Sequence, residues 1–339
     1  MSSGHTATLT RPVTDQIRSY SCPTCSLCGS QGELLYKDLE DKLYGAPGVW
    51  TFKRCPAIGC GLLWLDPMPV EEDVSKAYAK YYTHGDIPAN SQESSSAERF
   101  PSILRIFRDL LLRATSISRE RRRLASMYLD EVPPGRVLDV GCGDGSRLER
   151  LRALGWDVSG QEIDGKAASH AIQFYGVQVH LGSLSEADFG EGSFDAIVMN
   201  HVVEHVHDPV RLFSECRHLL KKNGVLVAVT PNSESCGHKR FGPSWRGLEP
   251  PRHIHLFNQS TLRKLAGLVG FRDVNTWTTP AHAEVLANGS LEICGESKPV
   301  GLGLKLMRRI MSLQYQLRWH ITHMTDGNSG EECVLKVVA

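Results

Sequence analysis

The run Arg136-Val-Leu-Asp139-Val140, broken at once by Gly141-Cys142-Gly143-Asp144-Gly145, most restricts how this 339-residue chain can fold. A short apolar strand ending in alternating glycines must turn sharply and expose its backbone to a ligand. Ser146–Leu154 then places Leu148, Leu151 and Leu154 on one helical face, stopped by Gly155. The alternation continues. Strands are predicted at Asp157–Glu162, Val177–His180, Phe194–Asn200 and Val225–Thr230, with last strands at Phe271–Thr279 and Glu332–Val338. Helices are predicted over Asp164–Tyr175, from Asp208 with Pro209 in the first position, and over Ser260–Val269 up to Gly270. Strands alternating with helices predict an α/β fold, with a parallel sheet covered on both faces.

Glu162 ends the second strand, where a carboxylate can accept hydrogen bonds from both hydroxyls of a ribose. The glycine spacing is GxGxG, and Asp139 precedes the first glycine, which departs from the dinucleotide fingerprint. Together with GSFDAIVMNHVVEHVHDP (192–209) and LLKKNGVLVAVTPN (219–232), this loop resembles class I S-adenosylmethionine-dependent methyltransferases. It is most similar to the branch with ubiquinone-biosynthesis O-methyltransferases, over about 135–280. The resemblance implies a Rossmann-like seven-stranded sheet with S-adenosylmethionine (SAM) as cofactor. It assigns cofactor binding to Asp139, Gly141, Gly143, Glu162, Ser183, Leu184 and Asn200, with Ser183 standing where the family commonly has an Asp.

Five of the ten cysteines lie between Cys22 and Cys60. Cys25-x2-Cys28 and Cys55-x4-Cys60 can turn back onto one tetrahedral Zn²⁺ of structural type. Cys22-x2-Cys25 is a second valid knuckle, and Gly29, mirroring Gly61, favours Cys25 and Cys28. The segment resembles the small N-terminal zinc ribbon of some polysaccharide-cluster and sugar methyltransferases. The expected organisation is a disordered lead (1–20), ribbon and connector (21–82), linker or mobile loop (83–100) and helical cap (101–131). A methyltransferase domain then fills 132–339, with a helical insertion at about 281–325.

His201-Val-Val-Glu204-His205 leaves the end of the fourth strand, the edge of open α/β sheets that faces the ligand crevice. Two chemistries fit. A neutral imidazole could take the proton from an acceptor hydroxyl. Alternatively the trio could hold a divalent ion, as the E-x-x-E-H pattern of the ubiquinone-type enzymes suggests by resemblance, here with His201 in place of the first acid. The run Trp245 to Phe257 is a further acceptor candidate. Trp245 could stack on a sugar, Arg252 could pair with an anion, and one of His253 and His255 should face the site, with His253 joining the catalytic set.

Lys plus Arg and Asp plus Glu are both 38, so no whole-molecule basic field exists to grip nucleic acid. The N-terminal residues lack an apolar core of signal-peptide length, and the cytoplasm is the expected address. Basic amphipathic stretches at Ser102–Thr115 and Lys305–Met324 could lie on an anionic membrane, which would suit a lipid-linked acceptor. The expected activity is O-methylation of a sugar, glycan or small hydroxylated metabolite. Its alternatives are C-methylation of a nucleotide sugar and, behind it, RNA methylation guided by the ribbon.

Overall fold

The computed structural model of the protein describes residues 16–78, 117–295 and 302–339. Most of the expected lead, the 83–100 linker and the basic stretch at Ser102–Thr115 lie outside the described residues. Near the N-terminus, β1 (Ser19–Tyr20) pairs with β5 (Met68–Pro69). Between them β2 (Glu33–Leu39), β3 (Trp50–Arg54) and β4 (Leu63–Leu65) form an antiparallel sheet.

After α1 (Ile117–Ala125) the chain enters the large sheet. Its strands are β6 (Arg136–Val140), β7 (Asp157–Glu162), β8 (Gln178–Leu181), β9 (Phe194–Asn200) and β10 (Leu220–Pro231). The short β11 (His255–Leu256) lies elsewhere, and β12 (Arg272–Thr279) and β13 (Glu332–Val338) complete the seven. The order is β12-β13-β10-β9-β6-β7-β8, and β13 runs antiparallel to both neighbours. Val137, Leu138, Ile197, Val198, Leu226 and Leu335 are wholly buried, as strands covered on both faces require.

The covering helices begin where short polar side chains can cap them. After α2 (Ser146–Ala153), Asp164 accepts from Lys166 N–H and Ala167 N–H to start α3 (Gly165–His170). Asp208 accepts from Arg211 N–H to start α4 (Pro209–Leu219). A short α5 (Cys236–Phe241) follows β10, and Asn258 caps α6 (Gln259–Val269), which Gly270 closes with φ 82°. Phe213, Leu262 and Leu265 from these helices are wholly buried against the sheet. α7 (Ala283–Ile293) and α8 (Leu302–Asp326) pack on each other between β12 and β13.

β6 feeds β7 on one side, while β9 lies on its other side. This reversal opens a crevice at the carboxyl ends of β6 and β9. The cysteine-bearing region is joined to the main fold more closely than a loose appendage would be. β11, which follows the 245–254 loop, pairs with β4 as the fourth strand of the small sheet. Among the described residues no helix is long and apolar enough to cross a membrane.

Candidate active site at the carboxyl edge of the sheet

The cofactor half is built mainly from backbone. Gly141, Gly143 and Gly145 all adopt positive φ, and a Cβ on Gly141 would meet Val202 Cγ2 at 2.6 Å. Glu162 is buried and accepts from Gly143 N–H at 2.8 Å and from the Ile163 and Asp164 amides at 2.8 and 2.9 Å. Gln161, which the sequence did not single out, clamps the loop. It accepts from Gly141 N–H and donates to Gly182 O at 2.6 Å. Cys142 is a buried packing residue, and a Cβ on Gly160 would press its sulfur at 2.7 Å.

Asp139 lies below the loop rather than in it. It is fully buried and accepts from Arg147 Nη1 at 2.7 Å. Burial pushes its pKa up, and Arg147 opposes the rise. Ser183 spends its hydroxyl on Glu186 at 2.8 Å, and Leu184 is buried beside it. Two buried oxygens, Asp139 Oδ2 and Asn200 Oδ1, have no hydrogen-bond partner among the described residues. Positive-φ glycines, the Glu162 carboxylate at ribose level and the unsatisfied Asn200 Oδ1 at one sheet edge fit a bound SAM.

The acceptor half is built from side chains. His201 has φ 56°, left-handed for a non-glycine residue. Its Nδ1 lies 3.1 Å from Glu204 Oε1 and its Nε2 lies 2.7 Å from Glu332 Oε1. Burial favours the neutral ring, but the two carboxylates outweigh it and raise its pKa to about 10. Burial likewise opposes ionisation of Glu204 and Glu332, and their histidine partners outweigh it, bringing each down to about 2. Two carboxylates at these distances favour the imidazolium form of His201. That form has no lone pair to offer, whereas the expected base role requires the neutral ring.

His205 and His253 form an inner pair with ring centroids 4.8 Å apart. Nδ1–H of His205 donates to Arg252 O at 2.9 Å, and Nδ1–H of His253 donates to Gly247 O at 2.7 Å. The Tyr78 hydroxyl lies 3.1 Å from His205 Nδ1. Burial pushes His253 well below the ordinary histidine value, so its Nε2 keeps a lone pair at neutral pH. One ligand atom from each of Glu204, His205 and His253 lies within 4.8 Å of the other two, close enough to hold one cation. His255 points elsewhere, its Nδ1–H donating to Val206 O.

Two expectations for the 245–253 loop are overturned. Arg252 is wholly buried, donating to Asp41 Oδ2 at 2.8 Å and Glu249 Oε1 at 2.9 Å. Its guanidinium stacks on Tyr44, so it neutralises internal carboxylates and is not presented to a ligand. Trp245 is buried against His238, with ring centroids 4.8 Å apart, and donates to Glu331. A cleft of about 440 Å³ opens beside the end of β10 instead, lined by Tyr36, Arg54, Glu234, His238 and Lys239 among others.

The sulfurs of Cys25, Cys28, Cys55 and Cys60 all lie within 4.8 Å of one another, and Cys22 stays outside the group. Cys25 and Cys60 Sγ are 3.7 Å apart; Cys28 and Cys55 Sγ are 3.4 Å apart. Burial opposes ionisation of Cys28, but Ser30 and the neighbouring thiols outweigh it and bring its thiol down to about 6. Four converging sulfurs, one poised as thiolate, fit a closed tetrahedral metal site. The Cys60 carbonyl accepts from Ser260 at 3.2 Å and Asn258 at 3.4 Å, which docks this knuckle on the start of α6.

A methyltransferase-domain family model matches residues 110–276. A "Probable S-adenosylmethionine-dependent methyltransferase" of Mycolicibacterium smegmatis is 29% identical over 41% of this chain and 53% of its own length. A ubiquinone biosynthesis O-methyltransferase of Cereibacter sphaeroides is 36% identical over 35% of this chain and 51% of its own. The chain thus spans about half the length of the curated relatives it matches. A solved SAM-dependent methyltransferase of Thermotoga maritima is 20% identical, with a TM-score of 0.44 over 69% of this chain and 98% of that one.

Proposed function

With residues 110–276 forming a class I SAM-dependent methyltransferase domain, we propose that the protein methylates a hydroxyl oxygen of a sugar, glycan or other small hydroxylated acceptor. One observation carries the reading. The cofactor loop and a polar cluster drawn from the 201–205 motif, the 245–253 loop and β13 meet at one sheet edge. Methyl transfer from a sulfonium needs little covalent help. The protein must align the oxygen, methyl and sulfur, exclude water and provide for one proton.

The cleft beside β10 is of a size that suits a small hydroxylated acceptor. The four cysteines hold Zn²⁺ in this reading and stiffen the small sheet that carries β11. A second reading gives Glu204, His205 and His253 a divalent ion that orients the acceptor oxygen. Its support is that both Nδ1 atoms are committed to backbone carbonyls, leaving Nε2 for an ion.

The test is incubation with methyl-labelled SAM and fractionated extract of the source cells. Label in water-soluble small molecules, with a methoxy resonance in the product, is expected. A carbon-bound methyl would promote the nucleotide-sugar alternative, and label in RNA would displace both. Organic-phase label would point to a lipid-linked acceptor at a membrane. Label lost after dialysis against chelator and restored by a divalent transition ion such as Mn²⁺ or Fe²⁺, with the metal of the cysteine site retained, would favour the divalent ion.

A further inference from the structure

We propose that His282, oriented by Glu332, is the general base that takes the proton from the acceptor hydroxyl, an assignment that rests on the O-methyltransferase reading above. The argument begins with topology. β12 ends at Thr279, which pairs with Glu332 at the start of β13, and Glu332 pairs in turn with Pro231 at the end of β10. The turn that follows β12 therefore emerges at the carboxyl edge of the parallel strands, level with His201. His282 sits in that turn, just ahead of α7.

Its surroundings match a base held by a carboxylate. His282 Nδ1 lies 3.4 Å from both oxygens of Glu332, whose own side chain is buried. Donation from Nδ1–H to that carboxylate fixes the neutral tautomer with its lone pair on Nε2. The His282 side chain is 47% exposed, whereas that of His253 is only 7% exposed. Of these two rings, His282 is the one open to an acceptor arriving from solvent.

The turn itself is firmly anchored. Arg121 Nε donates to Ala281 O at 2.9 Å, and buried Gln316 donates to Pro280 O at 2.8 Å. Ala281 N–H donates to Thr279 Oγ1, and Arg121 also pairs with Glu284. Such fixation is what a positioned base needs. The groups facing His282 are Glu332 and Glu284, which favour its protonation, and His201, which opposes it; Arg121 stands behind Glu284. Hydrogen bonding to Glu332 is the largest influence and raises the ring above the ordinary histidine value, with burial opposing.

The step balances simply. As oxygen forms its bond to the methyl carbon, the carbon–sulfur bond breaks and its electron pair neutralises the sulfonium. His282 Nε2 receives the hydroxyl proton and later gives it to water. Glu332 keeps its charge throughout and acts as a positioning residue for two rings, His201 and His282.

The experiment compares wild type, His282→Gln and Glu332→Gln, using methyl-labelled SAM and the extract fraction that the wild type labels. Single-turnover rates are read from about pH 6 to about pH 9. The wild-type rate is expected to rise with pH through one ionisation. His282→Gln should lower the rate about 100-fold and remove that limb, with SAM affinity unchanged. Glu332→Gln should move the limb to lower pH. A His282→Gln protein that keeps the wild-type rate and limb overturns the assignment. If the wild type itself labels nothing, the methyltransferase reading fails instead. The dyad is then judged by ¹⁵N NMR of the imidazoles: Nδ1–H in neutral His282 supports it, and Nε2–H sinks it.

Discussion

The two halves of the sheet edge use different materials. The half in front of β6, β7 and β8 is made of glycine backbone, peptide amides and two adjacent side chains, Gln161 and Glu162. The half in front of β9, β10, β13 and β12 is made of charged side chains from distant segments, as in the pairing of His201 with Glu332, 131 residues apart. A backbone cradle depends on local φ and ψ and suits a cosubstrate that never changes. A side-chain cluster depends on several loops arriving together, and each loop can vary with the acceptor. The difference should appear whenever one half is damaged alone.

The largest effect is expected from the metal knuckles. If the four cysteines hold Zn²⁺ as proposed, Cys60→Ser should release it and loosen the small sheet that includes β11, the strand that follows the 245–253 loop. Structural zinc contributes about 10 kcal/mol or more to such small domains, so methyl transfer should fall to background. SAM affinity, measured by calorimetry, should change by less than about threefold, because the glycine loop is built on β6 and β7 of the large sheet and not on the small one. Equal loss of both would break the division into halves.

Next comes the buried arginine. Arg252→Ala leaves buried Asp41 without its guanidinium partner, while Glu249 keeps Arg246, at a cost of about 3 kcal/mol. Urea unfolding should register it. Arg252→Met should not rescue stability, since a thioether supplies no charge to Asp41.

The cofactor half is tested by Gly141→Ala. The added Cβ would meet Val202 Cγ2 at 2.6 Å in a backbone with φ 65°. Strain of this kind costs about 1–3 kcal/mol, so SAM should bind about tenfold more weakly. Adding Val202→Ala should recover the steric share and leave the share due to positive φ. Full recovery would show that backbone freedom at Gly141 is dispensable.

The same contrast governs what the sequence made legible. Asp139 through Gly145 and Glu162 lie within one β-loop-α-β unit, so short-range spacing marked the loop and its acid as a candidate, and resemblance alone carried Asp139 to the cofactor. Strand and helix limits agreed within about a residue for β12 and α6, because caps such as Asn258 and Gly270 mark them chemically. The acceptor half was read in part. His205, Glu204 and His253 come together, but Arg252 and Trp245 are buried, since nothing local announces that Asp41 and Tyr44 would pack on the 245–253 loop. Glu332 and His282 were missed altogether. Their one signal was position: each stands where a strand meets the ligand edge, an acid opening the apolar run of β13 and a histidine just after β12.

The smallest effect separates the halves by pH. Glu204 and Glu332 sit at about 2, below the ordinary glutamate value of 4.5, so their contribution to stability is present above 4.5 and lost as pH falls toward 2. His201 sits at about 10, above 6.5, so its contribution is complete below 6.5 and lost as pH rises through 10. The cluster therefore stabilises the fold most between about pH 4.5 and 6.5 and fades on both sides. The His201 ring is one-third exposed, so solvent screening should leave each limb at about 1 kcal/mol. Asp139 has the opposite sign, because burial raises its pKa and its ionisation opposes folding at higher pH. Subtracting the urea-unfolding profile of His201→Gln from that of wild type should leave a plateau with two falling limbs. A difference that stays level from pH 3 to pH 10 would mean that the imidazolium is not held by the two carboxylates in solution.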